Sequence, residues 1–212
     1  MEPQQSAADF WEHRYSERDS IWSGNPNAAL VTEASSLPAG RALDLGCGEG
    51  ADSIWLAERG WQVTGLDIST TALERARREA ESRGVAEATT WLQQDLSTWE
   101  PTELYDLVSA HFLHSPVELP RERILQSAAS AVAPGGTLLI VGHAEVPAGI
   151  TSSHPHVVSF PTAPETVDQL GLVEPEWAVT VCENRPRTWT SPDGETRDIL
   201  DTIVVARRAT PS

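Results

Sequence analysis

Three glycines at alternate positions follow a short apolar run that ends at Leu45, in the segment Gly46-Cys47-Gly48-Glu49-Gly50. Glycines after a strand let a ligand approach the backbone closely, and they leave N–H groups free at the start of the next helix. With Ala51 they fit the pattern G-x-G-x-x-G/A of dinucleotide-binding domains, and Asp67 lies about where that pattern has a ribose-binding acid. The segment predicts a ligand-binding turn, and an NAD-type oxidoreductase is one interpretation of it.

The charge around this turn favours a different ligand. Asp44 precedes the turn, Glu49 lies inside it and Asp52 follows it. Three carboxylates would repel the pyrophosphate of a dinucleotide, whereas they suit a ligand that carries an ammonium and a sulfonium. S-adenosylmethionine is such a ligand, and its own carboxylate can use the N–H groups of the turn.

Histidines supply the candidate bases. His111 and His143 come just after the fourth and fifth predicted strands, and both are predicted to be catalytic because His titrates near neutral pH. His114 is a further candidate by position. His154 and His156 could bind a metal, but no third ligand has convincing spacing, so no metal is expected.

The elements that must position these residues are short apolar strands that alternate with helices. The predicted strands are Ala42–Leu45, Gln62–Asp67, Thr89–Gln93, Tyr105–Ala110 and Thr137–Gly142. Their continuous apolar runs are typical of a parallel sheet that is covered on both faces. One helix is predicted after the glycine turn, one from Ser69 to a stop at Gly84, and one from Pro120 through Val132 to Pro134-Gly135-Gly136.

Two further runs complete the predicted sheet. Trp177–Glu183 and Asp201–Arg207 are strand-like and flank the turn signal Pro192-Asp193-Gly194, which favours an antiparallel pair. The sequence therefore predicts an α/β fold: a doubly wound, mostly parallel Rossmann-like sheet of seven strands with a C-terminal antiparallel pair. Ligands of such folds bind at the carboxyl ends of the strands.

Five segments in order along residues 41–143 resemble the class I S-adenosylmethionine-dependent methyltransferases. They are Leu43-Asp44-Leu45-Gly46-Cys47-Gly48-Glu49-Gly50, Gly65-Leu66-Asp67-Ile68-Ser69, Gln94-Asp95-Leu96, Tyr105-Asp106-Leu107-Val108 and Pro134-Gly135-Gly136-Thr137-Leu138. The resemblance implies that Asp67 holds the ribose hydroxyls and that Asp95 and the Leu96 amide contact the adenine. The implied cofactor-binding set also includes Asp44, Gly46, Cys47, Gly48, Ile68 and His111.

The N-terminal segment resembles the lid of small-molecule methyltransferases of the thiopurine and tellurite group. It reads Phe10-Trp11-Glu12-His13-Arg14-Tyr15, followed by Trp22. The resemblance implies that Trp11, Arg14, Tyr15 and Trp22 close over the cofactor, with Arg14 on its carboxylate. We expect a single domain, with residues 1–40 as lid or cap, 41–143 as cofactor-binding core and 144–212 as substrate-side connection and terminal strands.

Composition limits the partners. The 212 residues carry 31 acidic and 15 basic side chains, a formal charge of -16, and all of the basic ones are Arg. Such a field opposes a nucleic acid partner, and no apolar stretch is long enough to suggest a membrane span. Cys47 and Cys182 are too few for a zinc site or a disulfide framework, which favours a cytoplasmic protein. We expect a monomer or homodimer.

These observations predict an enzyme that transfers the methyl group of S-adenosylmethionine to a small molecule by in-line displacement. The acceptor atom would be S, O, N or a chalcogen, and a soft or easily ionised atom suits the modest bases available. Two alternatives stay open at this point. One is the NAD-type oxidoreductase, and the other is a methyltransferase-like protein that binds the cofactor without catalysis.

Overall fold

The computed structural model describes residues 6–144, 160–190 and 196–211. Its helices are α1 Ala7–Ser16, α2 Ala28–Ala34, α3 Ala51–Ala57, α4 Thr70–Ser82, α5 Arg121–Ser130 and α6 Ala163–Leu170, with one 3-10 turn at Ala86–Ala88. Its strands are β1 Arg41–Leu45, β2 Gln62–Asp67, β3 Thr89–Gln93, β4 Tyr105–His111, β5 Val132–His143, β6 Trp177–Thr190 and β7 Thr196–Arg208. The strand–helix alternation predicted from the sequence is confirmed.

The seven strands form one sheet in the order β3-β2-β1-β4-β5-β7-β6. The first five are parallel to one another, and β7 runs antiparallel to both β5 and β6. The predicted seven-stranded, doubly wound sheet with a C-terminal antiparallel pair is therefore confirmed. Since β1 and β4 are neighbours at the point where the strand order reverses, their carboxyl ends border the crevice in which such sheets bind ligands.

Three predicted boundaries are wrong. The helix expected to run through Val132 ends at Ser130, because Val132 already pairs with Tyr105 in the sheet. The segment Pro134-Gly135-Gly136 lies within β5, beside a shift of register in the β4–β5 pairing, so the strand does not begin at Thr137. The terminal strands are longer than predicted because their pairing continues as far as Thr190 and Thr196. The predicted turn at 192–194 lies outside the described residues.

Apolar side chains cover both faces of the sheet. On one face, Leu43, Leu45 and Val108 pack in a cluster with side chains of α5 and α6. On the other face, Ala42 and Leu107 pack in a cluster with side chains of α2 and α3. Side chains alternate between the faces of a strand, so a strand buried on both faces is apolar at successive positions. This packing fixes the frame to which the polar residues at the strand ends are attached.

Local signals explain where several helices begin. The Ser69 side chain accepts from the N–H of Ala72 at the start of α4, as its N-cap assignment predicts. The Ser6 side chain likewise accepts from Asp9 N–H at the start of α1.

Within the described residues, no helix is both long enough and apolar enough to cross a membrane.

Candidate functional site at the carboxyl edge of the sheet

The glycine turn joins β1 to α3 and is held against the end of β2. The N–H groups of Gly46 and Cys47 both donate to the Leu66 carbonyl, at 2.8 and 3.0 Å. Gly48 has φ +52°, and a Cβ built on it would lie 2.9 Å from the Tyr15 hydroxyl oxygen. Positive φ and this close approach together require glycine there. Glycine at this position therefore lets the Tyr15 hydroxyl approach the turn closely. The expectation that the N–H groups of the turn are free for a ligand is not met at Gly46, Cys47 and Gly48, whose N–H groups all donate within the chain.

Asp67, at the end of β2, is 7% exposed and connects the turn to α4. Its Oδ2 accepts from the N–H of Gly48 at 2.8 Å, and its Oδ1 accepts from the N–H of Ser69 at 2.9 Å. Burial raises the pKa of this carboxyl group, and the hydrogen bonds to the charged form oppose that rise. Each carboxylate oxygen keeps further acceptor capacity, so the group can still receive hydroxyl donors from a ribose.

The three carboxylates around the turn have different partners. Asp44 is buried and accepts from the Ser53 hydroxyl at 2.6 Å. Glu49 forms an ion pair with Arg75 at 2.8 Å, with side-chain exposures of 12% and 16%. Its charge is therefore balanced within the chain. Asp52 is also paired, with His111 at 2.6 Å. This weakens the electrostatic argument from the sequence, because among the described residues Asp44 alone of the three carboxylates has no ion-pair partner.

The N-terminal segment is docked over the turn. Tyr15 is 3% exposed, and its hydroxyl accepts from the Trp22 indole N–H at 2.9 Å. The Arg75 guanidinium donates to the carbonyls of Tyr15 and Arg18, and Glu49 accepts from the N–H of Trp22 at 3.0 Å. These contacts tie residues 15–22 to the turn and to α4.

A second set of contacts fixes α1. The Glu12 carboxylate accepts from the hydroxyls of Ser69 and Thr71, where α4 begins. The Trp11 indole N–H donates to the Ser115 hydroxyl at 3.2 Å, which connects α1 to the segment after β4. The sequence predicts no role for either Glu12 or Arg75. Neither residue carries a local signal, because each acts through partners that lie far away in the sequence.

Several predicted cofactor residues lie at this edge, although their contacts with a ligand are untested. Arg14 is exposed, with its guanidinium 5.9 Å from the centre of the Trp11 ring. Asp95 is exposed and accepts from the N–H of Ser97 at 2.8 Å, whereas Leu96 is buried. The Ile68 carbonyl, just after β2, accepts from the Gln93 side chain. All four remain predictions as cofactor contacts.

Cys47 fills space in the turn. A Cβ built on Gly65 would lie 2.9 Å from its sulfur atom. Burial raises the pKa of its thiol well above the usual range, and the Asp67 and Asp44 carboxylates add to this rise. A thiol held in the protonated form is a poor nucleophile, which agrees with a packing role.

His111 is the last residue of β4, at the edge of the sheet where a ligand is expected. Its side chain is 6% exposed, and its Nδ1 lies 2.6 Å from Oδ2 of Asp52. Burial alone would lower the pKa of His111, but the Asp52 and Asp44 carboxylates outweigh that effect and raise it. Its Nε2 is buried without a hydrogen-bond partner. Asp52 also accepts from the N–H of Asn27 at 2.6 Å, so its carboxylate is fixed from two sides.

The chain between β4 and α5 makes a strained turn. Phe112 has φ +48°, an unusual value for a residue with a bulky side chain. Its N–H donates to the Val141 carbonyl at 2.8 Å, and its own carbonyl accepts from the N–H of His114 at 2.7 Å. Leu113 thereby reaches the glycine turn, since its Cδ1 would be 2.9 Å from a Cβ on Gly46. Strain of this kind concentrates at functional sites.

His143, at the end of β5, belongs to a group of rings beyond β4 and β5. Its ring centroid is 4.6 Å from that of Phe112 and 5.5 Å from that of His114, and His114 is 5.0 Å from Phe160. The His143 N–H donates to His114 Nε2 at 3.2 Å. Burial lowers the pKa of His114 to about 3, with smaller contributions from Arg121 and His143, so its ring is neutral at physiological pH. His111 and His143 thus end adjacent strands of the sheet.

Within the described residues, no group of three His, Cys, Asp or Glu side chains is arranged to hold a metal ion. His154 and His156 lie outside the described residues. The prediction about metal binding therefore stays a prediction.

Residues 42–136 match the family model of a methyltransferase domain. The probable thiol methyltransferase 2 of Arabidopsis thaliana is 34% identical over 140 residues, which are 64% of this chain and 62% of that protein. The 2-heptyl-1-hydroxyquinolin-4(1H)-one methyltransferase of Mycobacteroides abscessus is 37% identical over 143 residues, which are 64% and 60%. The chain thus spans about three fifths of the length of these curated relatives.

A solved structure from work on the conversion of a disulfide bond into a thioacetal group during echinomycin biosynthesis superimposes with a TM-score of 0.72. It is 26% identical and covers 97% of this chain and 94% of its own. The match of residues 42–136 to a methyltransferase domain, the ordered motifs and the strand order are similar to those of the class I S-adenosylmethionine-dependent methyltransferases. S-adenosylmethionine is the cofactor of that class, which argues against the NAD-type alternative. The residues present fit it, because both carboxylate oxygens of Asp67 keep acceptor capacity for the ribose hydroxyls beside the glycine turn.

Proposed function

We propose that the chain catalyses transfer of the methyl group of S-adenosylmethionine to a small molecule that carries a soft or easily ionised nucleophile. The observation that supports the proposal most directly is the environment of the His111 ring. Its Nδ1 is fixed by Asp52 and its buried Nε2 has no partner, at a strand end next to the glycine turn. This is the arrangement expected of a base that faces an acceptor.

In this proposal the cofactor supplies an electrophilic methyl group. The residues of the chain bind the cofactor, orient the acceptor and exclude water. Asp67 accepts from the ribose hydroxyls, with Asp95, Leu96 and Ile68 on the adenine side. Trp11, Arg14, Tyr15 and Trp22 cover the cofactor from the docked N-terminal segment. In-line displacement needs alignment of the nucleophile with the methyl carbon more than it needs acid–base chemistry.

For an acceptor that must lose a proton, His111 is the proposed base. Asp52 keeps the Nδ1 position protonated, so Nε2 can take the acceptor proton while the nucleophile bonds to the methyl carbon and the carbon–sulfur bond breaks. The proton then passes to solvent. An acceptor that is already a thiolate needs no such step. His143 is the second proposed base, one strand further along the sheet.

The relatives support a small acceptor. Their names describe a probable thiol methyltransferase and a hydroxyquinolinone methyltransferase, whose acceptor groups are of the soft or ionisable kind. The charge of -16 also opposes a nucleic acid partner. We include in the proposal a cytoplasmic location, consistent with two free cysteines, and a monomer or homodimer without a nucleic acid or membrane partner.

Two measurements test the proposal. Isothermal titration should show binding of S-adenosylmethionine in the micromolar range and none of NAD. Incubation with a panel of thiols, phenols, amines and oxyanions should yield S-adenosylhomocysteine with at least one small acceptor, and His111→Ala should reduce the rate for phenols more than for thiolates. Binding without any turnover would instead favour the non-catalytic alternative, and methylation of RNA or protein alone would contradict the small-molecule assignment.

A further inference from the structure

His143 and Asp201 face each other across the antiparallel pair of β5 and β7. They are directly opposite in the register of the two strands, and residues so placed have their side chains on the same face of the sheet. Nδ1 of His143 lies 3.5 Å from Oδ1 of Asp201. In the part of the chain that the structure describes, Asp201 is the one acidic side chain within ion-pair distance of this ring.

His143 also lies on the same face of the sheet as His111. His111 pairs with Val141 in the parallel register of β4 and β5. Val141 and His143 are two positions apart on β5, so their side chains point to the same face. The ring centroid of His143 is 4.6 Å from that of Phe112, the residue that follows His111. The two histidines therefore end adjacent strands on one face of the sheet.

Arg187 holds the Asp201 carboxylate in place. Oδ2 of the buried Asp201 accepts from Arg187 Nε at 2.5 Å, and Oδ1 accepts from Nη2 at 3.3 Å. Burial raises the pKa of Asp201, but the contacts with His143 and Arg187 outweigh that effect and keep it below its usual range. Asp201 is therefore ionised at neutral pH, with one oxygen directed at the His143 ring.

An ionised carboxylate at this position decides which nitrogen of His143 carries the proton. Nδ1 is buried, and without a proton it would direct its lone pair at the negative oxygen of Asp201. A proton on Nδ1 turns this repulsion into an attraction. The distance of 3.5 Å exceeds that of a formed hydrogen bond, but such bonds at catalytic sites often shorten when the substrate binds. The pair of His111 and Asp52 has the same arrangement at 2.6 Å.

We infer that Asp201 is a positioning residue for His143, which it holds in the tautomer with the proton on Nδ1. Nε2 is then the atom that takes the proton of the methyl acceptor while the nucleophile bonds to the methyl carbon and the carbon–sulfur bond breaks. The Asp201 carboxylate stabilises the imidazolium that forms, and the extra proton passes to solvent. This inference rests on the proposed function, in which His143 is the second base.

The tautomer can be measured without cofactor or acceptor. Long-range proton–nitrogen NMR spectra of the chain labelled with ¹⁵N at histidine distinguish protonated from unprotonated ring nitrogens, and His143→Gln identifies the signals of His143. At a pH at which the ring is neutral, the native chain should show His143 protonated on Nδ1. Asp201→Asn should abolish this preference. A native ring protonated on Nε2 would overturn the inference, whether or not the variant folds.

Asp198→Asn is the matched control, because it makes the same chemical change three residues earlier on β7. Asp198 is exposed and accepts from the Thr188 hydroxyl at 3.0 Å. The His143 signals should keep the native tautomer in this variant. A tautomer that stays native in Asp201→Asn as well would contradict the inference.

Turnover tests whether Asp201 acts through His143. Asp201→Asn should lower kcat for a phenol by about tenfold, with KM nearly unchanged, and should leave methylation of a thiolate within about twofold. In a His143→Gln background, Asp201→Asn should cause no further loss on the phenol. Equal losses on phenol and thiolate, or a further loss in that background, would show a merely structural role.

The two proposals fail in different ways. A tautomer controlled by Asp201, together with no methylation of any acceptor, would overturn the proposed function and leave the pairing of Asp201 with His143 standing. Methylation of phenols at the native rate by His143→Gln would overturn this inference and leave the proposed function standing.

Discussion

Polar groups at the ends of β1 and β2 find their partners within the chain, whereas several beyond β4 and β5 do not. Asp67 accepts two backbone N–H groups, and Glu49 pairs with Arg75. In the described part of the chain, the buried side-chain polar atoms without a hydrogen-bond partner are all on the other side: His111 Nε2, His114 Nδ1, Arg121 Nε and His143 Nδ1. Unpaired buried polar groups are costly. In the proposed function, the polar groups at the ends of β1 and β2 are therefore prearranged for the cofactor, and the unpaired groups beyond β4 and β5 are left for the acceptor.

The largest effect on cofactor binding should come from Asp67, at the end of β2. Asp67→Ala removes the proposed ribose acceptor and leaves the N–H groups of Gly48 and Ser69 without their partner. We expect binding of S-adenosylmethionine to weaken by about 3 kcal/mol, measured by isothermal titration. Asp106→Ala is the control, since Asp106 accepts the backbone N–H of Arg41 at the opposite end of the sheet. Equal losses in both variants would mean that the effect is general destabilisation.

The next effect concerns the docked N-terminal segment. Glu49→Gln keeps the shape of the side chain but removes the charge that pairs with Arg75, so residues 15–22 should detach more easily. We expect a cost of about 2 kcal/mol, seen as faster tryptic cleavage after Arg14 and Arg18 and weaker cofactor binding. Glu74→Gln, an exposed change on α4, should do neither. Unchanged cleavage would show that other contacts hold the segment.

The histidines beyond β4 and β5 should affect how the stability of the fold depends on pH. The folded-state pKa of His114 is about 3, below the unfolded value near 6.5, so the unfolded chain binds the extra proton between these values. The contribution of this group to stability is therefore present above about pH 6.5 and is lost as pH falls toward 3. His114→Gln should flatten the decline in stability by about 1 to 2 kcal/mol between pH 7 and 5, measured by urea unfolding. His13→Gln, an exposed change, should leave the slope intact.

The smallest effect is a shift in the pH dependence of the methylation rate. As the proposed base, His111 works only when it is deprotonated, so methylation of a phenol should rise with pH through the pKa of His111. Asp52 raises that pKa, so Asp52→Asn should move the rise to lower pH. Activity on a thiolate should not show this shift. An unmoved profile for phenols would remove His111 as the base and leave it a packing residue.

The same division explains what could be predicted from the sequence. The glycine turn, Asp67 and the parallel strands are contiguous patterns, so their positions were predictable and the fold is confirmed. Glu12 and Arg75 act across the fold, on partners about sixty positions away for the first and about twenty-six for the second. Residues 134–136 were expected to end a helix, because their place in β5 follows only from the pairing of the flanking residues Val132 and Thr137 with β4.

The docked N-terminal segment also bears on the rate at which a bound molecule is exchanged. Tyr15 and Trp22 lie directly on the glycine turn, with the Tyr15 hydroxyl 2.9 Å from the point where a Gly48 Cβ would be. Exchange of any molecule bound to that turn therefore requires the segment to lift, and motions of this kind occur in microseconds to milliseconds. In the proposed function, each catalytic cycle would include one such opening to release the spent cofactor. The upper limit on turnover is then the opening rate of a segment held by Arg75 and Glu49, and solvent viscosity should slow it even where the chemistry is fast.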